Sequence, residues 1–286
     1  MKIISADWLV ICDENNSIIQ NGAVVFTDKI QEVDTLNNIE KKYPNIEIEK
    51  LAKNSVLMPG LINSHIHLEF SGNTTTLKYG NFYSWLNSVI KHREDLISKA
   101  NTKLILSKLS KMKRTGTTTI GAISSYSFDL DACVKSPLNK VFFCEVIGTK
   151  GDMIDTLFAD FKDRLNIAKK YKSANFIPAI AIHSPYSVHP FLVRETLKLA
   201  REENLPVTSH FLESREEFEW LHKDEGAFVE FFKNFLGQEQ SVTKPMEFLN
   251  LFSNIKNLSF THCVEASSAD FDKIKLLGAS VNHCVT

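Results

Sequence analysis

The chain is poor in cysteine and close to neutral, and it lacks any long apolar run. Cys12, Cys133, Cys144, Cys263 and Cys284 make an odd set with no CxxC pair. That spacing argues against a disulfide framework, makes a reducing cytoplasm the default setting, and leaves thiolates as poor candidates for metal chemistry. A formal net charge of −1 offers no basic field to attract nucleic acid or anionic lipid. No apolar stretch approaches the roughly 18 residues needed to cross a membrane. The N-terminal "MKIISADWLVI" is interrupted by Asp7 and is followed by no small-residue cleavage site, so it reads as a strand rather than a signal peptide. The glycines fit neither GxGxxG nor the P-loop spacing, which removes the usual phosphate cradles. No internal repeat or low-complexity tract is present.

What is there suits a globular protein. Apolar residues make up 43% and charged residues 23% of 286, enough for a full core in one large domain or two ordinary ones. Residues 1–56 carry short apolar or alternating runs, "IISADWLVI", "GAVVFT" and "KIQEVD", separated by Asp, Asn and Gly. This piece is too small for a strong core of its own and is expected to belong to a sheet completed by other residues. After "LMPG" the pattern changes. Strands are predicted at 59–66, 117–123, 141–148, 176–183, 206–211, 258–263 and 279–284, with helices between them, among them 151–172 and 190–203. Such alternation predicts a parallel sheet with crossover helices. Seven strands in this length are close to an α/β (β/α)8 TIM barrel, with a doubly wound sheet as the alternative that periodicity alone does not separate.

Polar residues collect where these strands end. His65 and His67 close the first strand two residues apart, so both imidazoles face one side. His183, His210 and His262 end the fourth, fifth and sixth strands. In a barrel that rim is where the active site is built. A single strand-end histidine is ordinarily a hydrogen-bonded structural residue, but two buried imidazoles side by side need a partner. A Zn²⁺ or Fe²⁺ ion is the partner that suits neutral imidazole, and it lowers the pKa of water bound to it from about 15.7 towards ~7. Glu213, three residues beyond His210, is placed to move protons as a general acid/base; its structural alternative is a carboxylate at a helix start. His92, His189 and His222 read as surface or capping residues. His283 follows the strand-end pattern, with a core role equally open.

These residues carry a resemblance. "PGLINSHIHLE", "HSPYSV", "HFLES" and "THCVEASSADFDKIKLLGASVNHCVT" together resemble the amidohydrolase superfamily, in the branch of metal-dependent deaminases and chlorohydrolases acting on purine or triazine rings. The resemblance covers the whole chain and implies residues 1–56 as the N-terminal part of a composite β-sandwich and 57–286 as the catalytic barrel. It implies His65, His67 and His210 as ligands of one divalent metal, zinc or iron. It further implies Glu213 as general acid/base, His262 as the partner of the attacking water, and His183, Trp85 and Glu94 as substrate contacts. More narrowly, "HLEFSGNTTTLKYGNFYSWLNSVI" is similar to the aminodeoxyfutalosine deaminases of the futalosine route to menaquinone. The implied reaction is hydrolytic loss of ammonia from C6 of an adenine ring. The implied substrate is a nucleoside that also carries a benzoate, with Lys78, Lys91 or Arg93 to meet it. Deaminases of adenosine, methylthioadenosine or S-adenosylhomocysteine are the alternative. A triazine chlorohydrolase fits less well because Glu94 and His183 suit a ribose, and a non-catalytic protein of this fold would be expected to have lost metal ligands.

The chain departs from the family at its end. After "VNHCVT" the family continues to an eighth strand with an aspartate ligand and then completes the sandwich. The expectation is therefore a piece of a longer protein, an incomplete barrel whose 286 residues alone are poorly stable and weakly active. Relatives often form dimers.

Overall fold

The computed structural model describes residues 1–284; Val285 and Thr286, the last two residues of the quoted C-terminal motif, lie outside that range. The chain forms two compact units, Met1–Leu61 and Ile62–Thr286.

The first unit is a five-stranded sheet. Strands β1 (Lys2–Val10), β2 (Ile18–Phe26) and β3 (Ile30–Thr35) form an antiparallel meander. Helix α1 (Leu36–Lys42) follows, capped by the Thr35 side chain, which accepts the Asn38 N–H. Strands β4 (Ile48–Lys50) and β5 (Val56–Leu57) then add in parallel to β1. Ile3, Ala23, Val25 and Ile39 form its small core, as expected for a piece of this size.

The second unit alternates strand and helix. It runs β6 (Leu61–Ile66), α2 (Phe82–Lys99), α3 (Thr102–Arg114), β7 (Thr117–Ser124), α4 (Leu130–Lys135), β8 (Asn139–Val146), α5 (Ile154–Lys169), β9 (Phe176–Ile182), α6 (Pro190–Glu203) and β10 (Val207–Phe211). It continues through α7 (Arg215–Lys223), α8 (Ala227–Leu236), α9 (Pro245–Asn250), β11 (Leu258–His262), α10 (Ser268–Leu276) and β12 (Ser280–Asn282). The seven strands lie in the order β12-β11-β10-β9-β8-β7-β6, with β7 to β12 paired in parallel. Neighbours in sequence are neighbours in space, the arrangement of a TIM-type barrel wall and not of a doubly wound sheet, whose order reverses at a switch point. No helix among the described residues is long and apolar enough to cross a membrane.

Side-chain alternation sorts the wall into two faces. Ala122, Phe142, Cys144, Ile180 and Ile182 join the large core under the helices. Ile123, Phe143, Ala179 and Ala181 form a second cluster on the opposite, inner face. At Gly121 a Cβ would stand 2.2 Å from the Ser64 carbonyl oxygen, so only glycine lets β7 approach β6 there. Helix α6 shows why the predicted span of 190–203 holds. Pro190 opens it, His189 caps it by accepting the Phe191 N–H, Leu192, Val193, Thr196, Leu197 and Ala200 form its buried stripe, and Asn204 ends it in the left-handed region.

Candidate active site

The five strand-end histidines meet. His65, His67 and His210 turn their Nε2 atoms to a common point, with Nε2···Nε2 separations of 3.2, 3.3 and 3.2 Å. The His210 ring packs within 5.5 Å of His262 and 4.9 Å of His183, centroid to centroid. Alternation places His65 and His67 on one side, as the i, i+2 spacing requires. His262 is a different case. Leu258 and Phe260 of the same strand enter the outer core, and regular alternation would send His262 after them. Its φ of +76° breaks the pattern and brings the imidazole to the other histidines.

The donor set fits a divalent metal. His210 Nδ1 lies 2.6 Å from the His183 carbonyl oxygen. A carbonyl only accepts, so Nδ1 carries the proton and Nε2 presents a lone pair. Burial holds His67 and His210 well below the usual imidazole range and pulls His65 down to about 4, so all three are neutral at pH 7. Three nitrogens bound about 2.0–2.1 Å from one tetrahedral centre stand about 3.3–3.4 Å apart, which is close to the spacing found. His210 thus presents its lone pair to the point that the other two Nε2 atoms also face, and one cation there would satisfy all three at once. His65, His67 and His210 could therefore hold one ion.

Glu213 sits beside this triangle. Its Oε1 is 3.4 Å from His262 Nε2. Burial raises the Glu213 carboxyl to about 7 and lowers His262 to about 4. Glu213 does not cap α7; Ser214 does, by accepting the Glu217 N–H. Glu217 in turn accepts the N–H groups of Leu212 and Glu213 at 3.1 and 2.8 Å, which fixes the backbone where the chain leaves β10. His183 turns Nδ1 to the hydroxyls of Ser187 and Ser184, at 2.6 and 2.9 Å, and this leaves its Nε2 for a ligand.

His65, His67, His183, His210, Glu213 and His262 all line a cavity of about 560 Å³. Trp85 lines it with Phe82, and α8 contributes Phe231, Phe232 and Phe235. Arg93 also lines it and donates from Nη1 to the Tyr126 hydroxyl at 3.0 Å. Glu94 does not reach it. One helical residue, about 100°, separates the two; Arg93 turns to the cavity and Glu94 is exposed on α2 outside the wall. Lys78 and Lys91 are likewise exposed and do not line the cavity. Glu145, at the end of β8, was not singled out from the sequence, yet it lines the wall. Its signal was available: in "VFFCEV", Val141, Phe143 and Glu145 share a face, and a carboxylate there has no place in a hydrophobic inner layer.

The sequence model of the amidohydrolase family matches residues 56–286. An aminodeoxyfutalosine deaminase of Nitratiruptor sp. is 46% identical over 268 residues, covering 94% of this chain and 66% of the relative. A Helicobacter pylori adenosine deaminase is 31% identical over 96% of this chain and 66% of its own. Among solved structures, Helicobacter pylori aminofutalosine deaminase in complex with methylthio-coformycin superposes with a TM-score of 0.92 at 29% identity, covering 99% of this chain and 70% of that one. The chain thus spans just under two thirds of the length of these two curated relatives.

Proposed function

The chain belongs to the amidohydrolase family, and from that premise we propose that it is the catalytic part of a metal-dependent nucleoside deaminase. Its most specific reading is conversion of 6-amino-6-deoxyfutalosine to futalosine and ammonia. The observation that carries the proposal is the convergence of three neutral imidazole Nε2 atoms beside Glu213 and His262 in the wall of a largely apolar cavity. The 46% identity to a relative named for that activity supports the substrate.

His65, His67 and His210 would hold one divalent ion, zinc or iron. Bound there, it would supply Lewis acidity and make water a nucleophile near neutral pH. The residues of the chain supply the rest. Trp85 covers the adenine ring and excludes water from its face. His262 hydrogen-bonds the attacking water and aims it at C6. Glu213 takes one proton from that water and passes it to the ring nitrogen beside C6, then takes the second from the new C6 hydroxyl and passes it to the departing amine. A C–O bond forms, the C–N bond breaks, and the ring keeps a carbonyl while NH3 leaves. A carboxyl raised to about 7 suits both halves of this transfer, since a pKa near the working pH serves donor and acceptor alike. Arg93 is the cation for the substrate carboxylate, in preference to Lys78 or Lys91, because it alone of the three lines the cavity.

The setting implied is the cytoplasmic futalosine route to menaquinone, with the first 56 residues forming one part of a composite sandwich, residues 57–286 belonging to the catalytic barrel, and the protein acting as a homodimer. The test is ammonia release by the full-length, zinc-loaded protein with aminodeoxyfutalosine, adenosine and methylthioadenosine side by side. Preference for aminodeoxyfutalosine that is lost in Arg93→Ala upholds the reading. Equal or better use of adenosine by the wild type overturns the substrate while leaving the chemistry.

A further inference from the structure

Glu145 is the one carboxylate on the cavity wall, besides Glu213, among the described residues. It is 1% exposed and ends β8 on the inner face shared with Phe143. Three groups fix it. Its Oε2 accepts the Ser125 hydroxyl at 2.6 Å, its backbone carbonyl accepts Arg164 Nη2 at 2.8 Å, and β7 and β9 flank its strand. The other oxygen, Oε1, is buried without a partner. The ring nitrogen facing it, His210 Nδ1, is 3.8 Å away, beyond hydrogen-bond length, and already donates to the His183 carbonyl. Buried acceptors are ordinarily satisfied, and an exception in a cavity wall points to a donor that arrives with the ligand.

The chemistry of a nucleoside says which donor. An adenine nucleoside has two kinds of polar hydrogen, the 6-amino group and the sugar hydroxyls. The amino group must lie at the His65–His67–His210 centre, where Glu213 receives it. The hydroxyls remain. Glu94, exposed on α2, does not line the cavity. Polar atoms of Glu145, His183 and His210 lie within 4.8 Å of one another, so His183 stands beside Glu145 on the same wall. Building on the nucleoside reading above, we infer that Glu145 Oε1 makes a hydrogen bond with a sugar hydroxyl of the substrate and sets the preference for ribosides over deoxyribosides.

The test measures binding, with futalosine and the product-type nucleosides inosine, 2′-deoxyinosine and 3′-deoxyinosine titrated calorimetrically into the full-length, metal-loaded protein. Wild type should bind one of the deoxy compounds about 10-fold or more weakly than inosine, the range for a lost hydrogen bond to a carboxylate. In Glu145→Ala that ratio should fall to about 2-fold with metal content unchanged. Glu145→Gln, which preserves volume if the alanine variant does not fold, should show an intermediate ratio. A wild-type ratio retained in both variants overturns the assignment. Loss of metal from the glutamine variant does the same, since it would mean that Glu145 serves His210 instead. Wild type that holds metal but binds neither inosine nor futalosine sinks the nucleoside reading itself, and this inference with it; that result is distinct from the other two.

Discussion

The Glu213 carboxylate and the His262 imidazole face each other at 3.4 Å across the gap between the ends of β10 and β11. Neither is held there by regular strand geometry. Leu212 has φ +45° and His262 φ +76°, so each strand turns abruptly at its last residues. The Cys263 N–H donates to the Phe211 carbonyl at 2.8 Å and the Glu265 N–H to that of Leu212 at 3.0 Å, which ties the two turns together.

If Glu213 moves the proton, removing its basicity should stop turnover and spare everything else. Glu213→Gln is expected to lower kcat by about 10²–10⁴-fold. Metal content and inosine affinity should stay near wild type. Ammonia release beside metal analysis reads both, and a variant with more than a tenth of wild-type kcat would remove Glu213 from the mechanism.

The imidazole triangle predicts cooperative metal retention. Each of His65→Ala, His67→Ala and His210→Ala should yield protein with little bound metal after dialysis, whereas His283→Ala should keep it. His283 is exposed and its ring contact is the His262 carbonyl, not the triangle. Metal bound stoichiometrically to any of the three alanine variants would refute the assignment of that residue.

Activity should rise with pH on the acid side of neutrality. Burial raises the Glu213 carboxyl to about 7 in the metal-free site, a bound divalent cation draws it lower, and the proton transfer starts from its ionised form. Where Glu213 is protonated it cannot accept; where it is ionised the base is available. His262, pulled to about 4, is neutral near pH 7. A kcat/KM profile from pH 4.5 to 8 measures this, and a rate that is flat or falling across the interval would contradict it.

A buried acid away from the reacting groups sets a second pH dependence, this one of stability. Asp129 is pushed up to about 8 by burial, with the Glu69 carboxylate adding to the shift. Unfolded aspartate ionises near 3.9. Between these values the unfolded chain gives up a proton that the folded chain keeps, so this contribution is fully present below about 4 and is lost as pH rises towards 8. The stability of wild type relative to Asp129→Asn, compared in urea, should therefore fall from pH 5 to 8. Identical slopes for the two proteins would rule the effect out.

The positions of the wall strands and of the histidines were readable because both follow from period 2 and from buried apolar runs. The span of α6 was readable from its proline, its capping histidine and its stripe. Sequence spacing failed where rotation about an element decides the outcome. Trp85 and Arg93 reach the cavity and Glu94 does not, and near the end of an 18-residue helix a single step is enough to exchange them. Glu145 is marked in the sequence only by its place among the apolar residues of one strand face, with no spacing partner to tie it to the histidines. Helix α8, between Gly226 and Gly237, inserts phenylalanines from a segment that the barrel pattern does not require.

The left-handed residues at Leu212, His262 and Cys263 also set a limit on engineering this protein. Each side chain there costs backbone energy that glycine would not incur, about 1–2 kcal/mol per residue before the greater flexibility of unfolded glycine is counted. A search for thermostable variants would therefore be drawn to these turns. Loosening them would free Glu213 and His262 from the geometry that brings them together, so heat resistance selected at these positions would come with slower turnover.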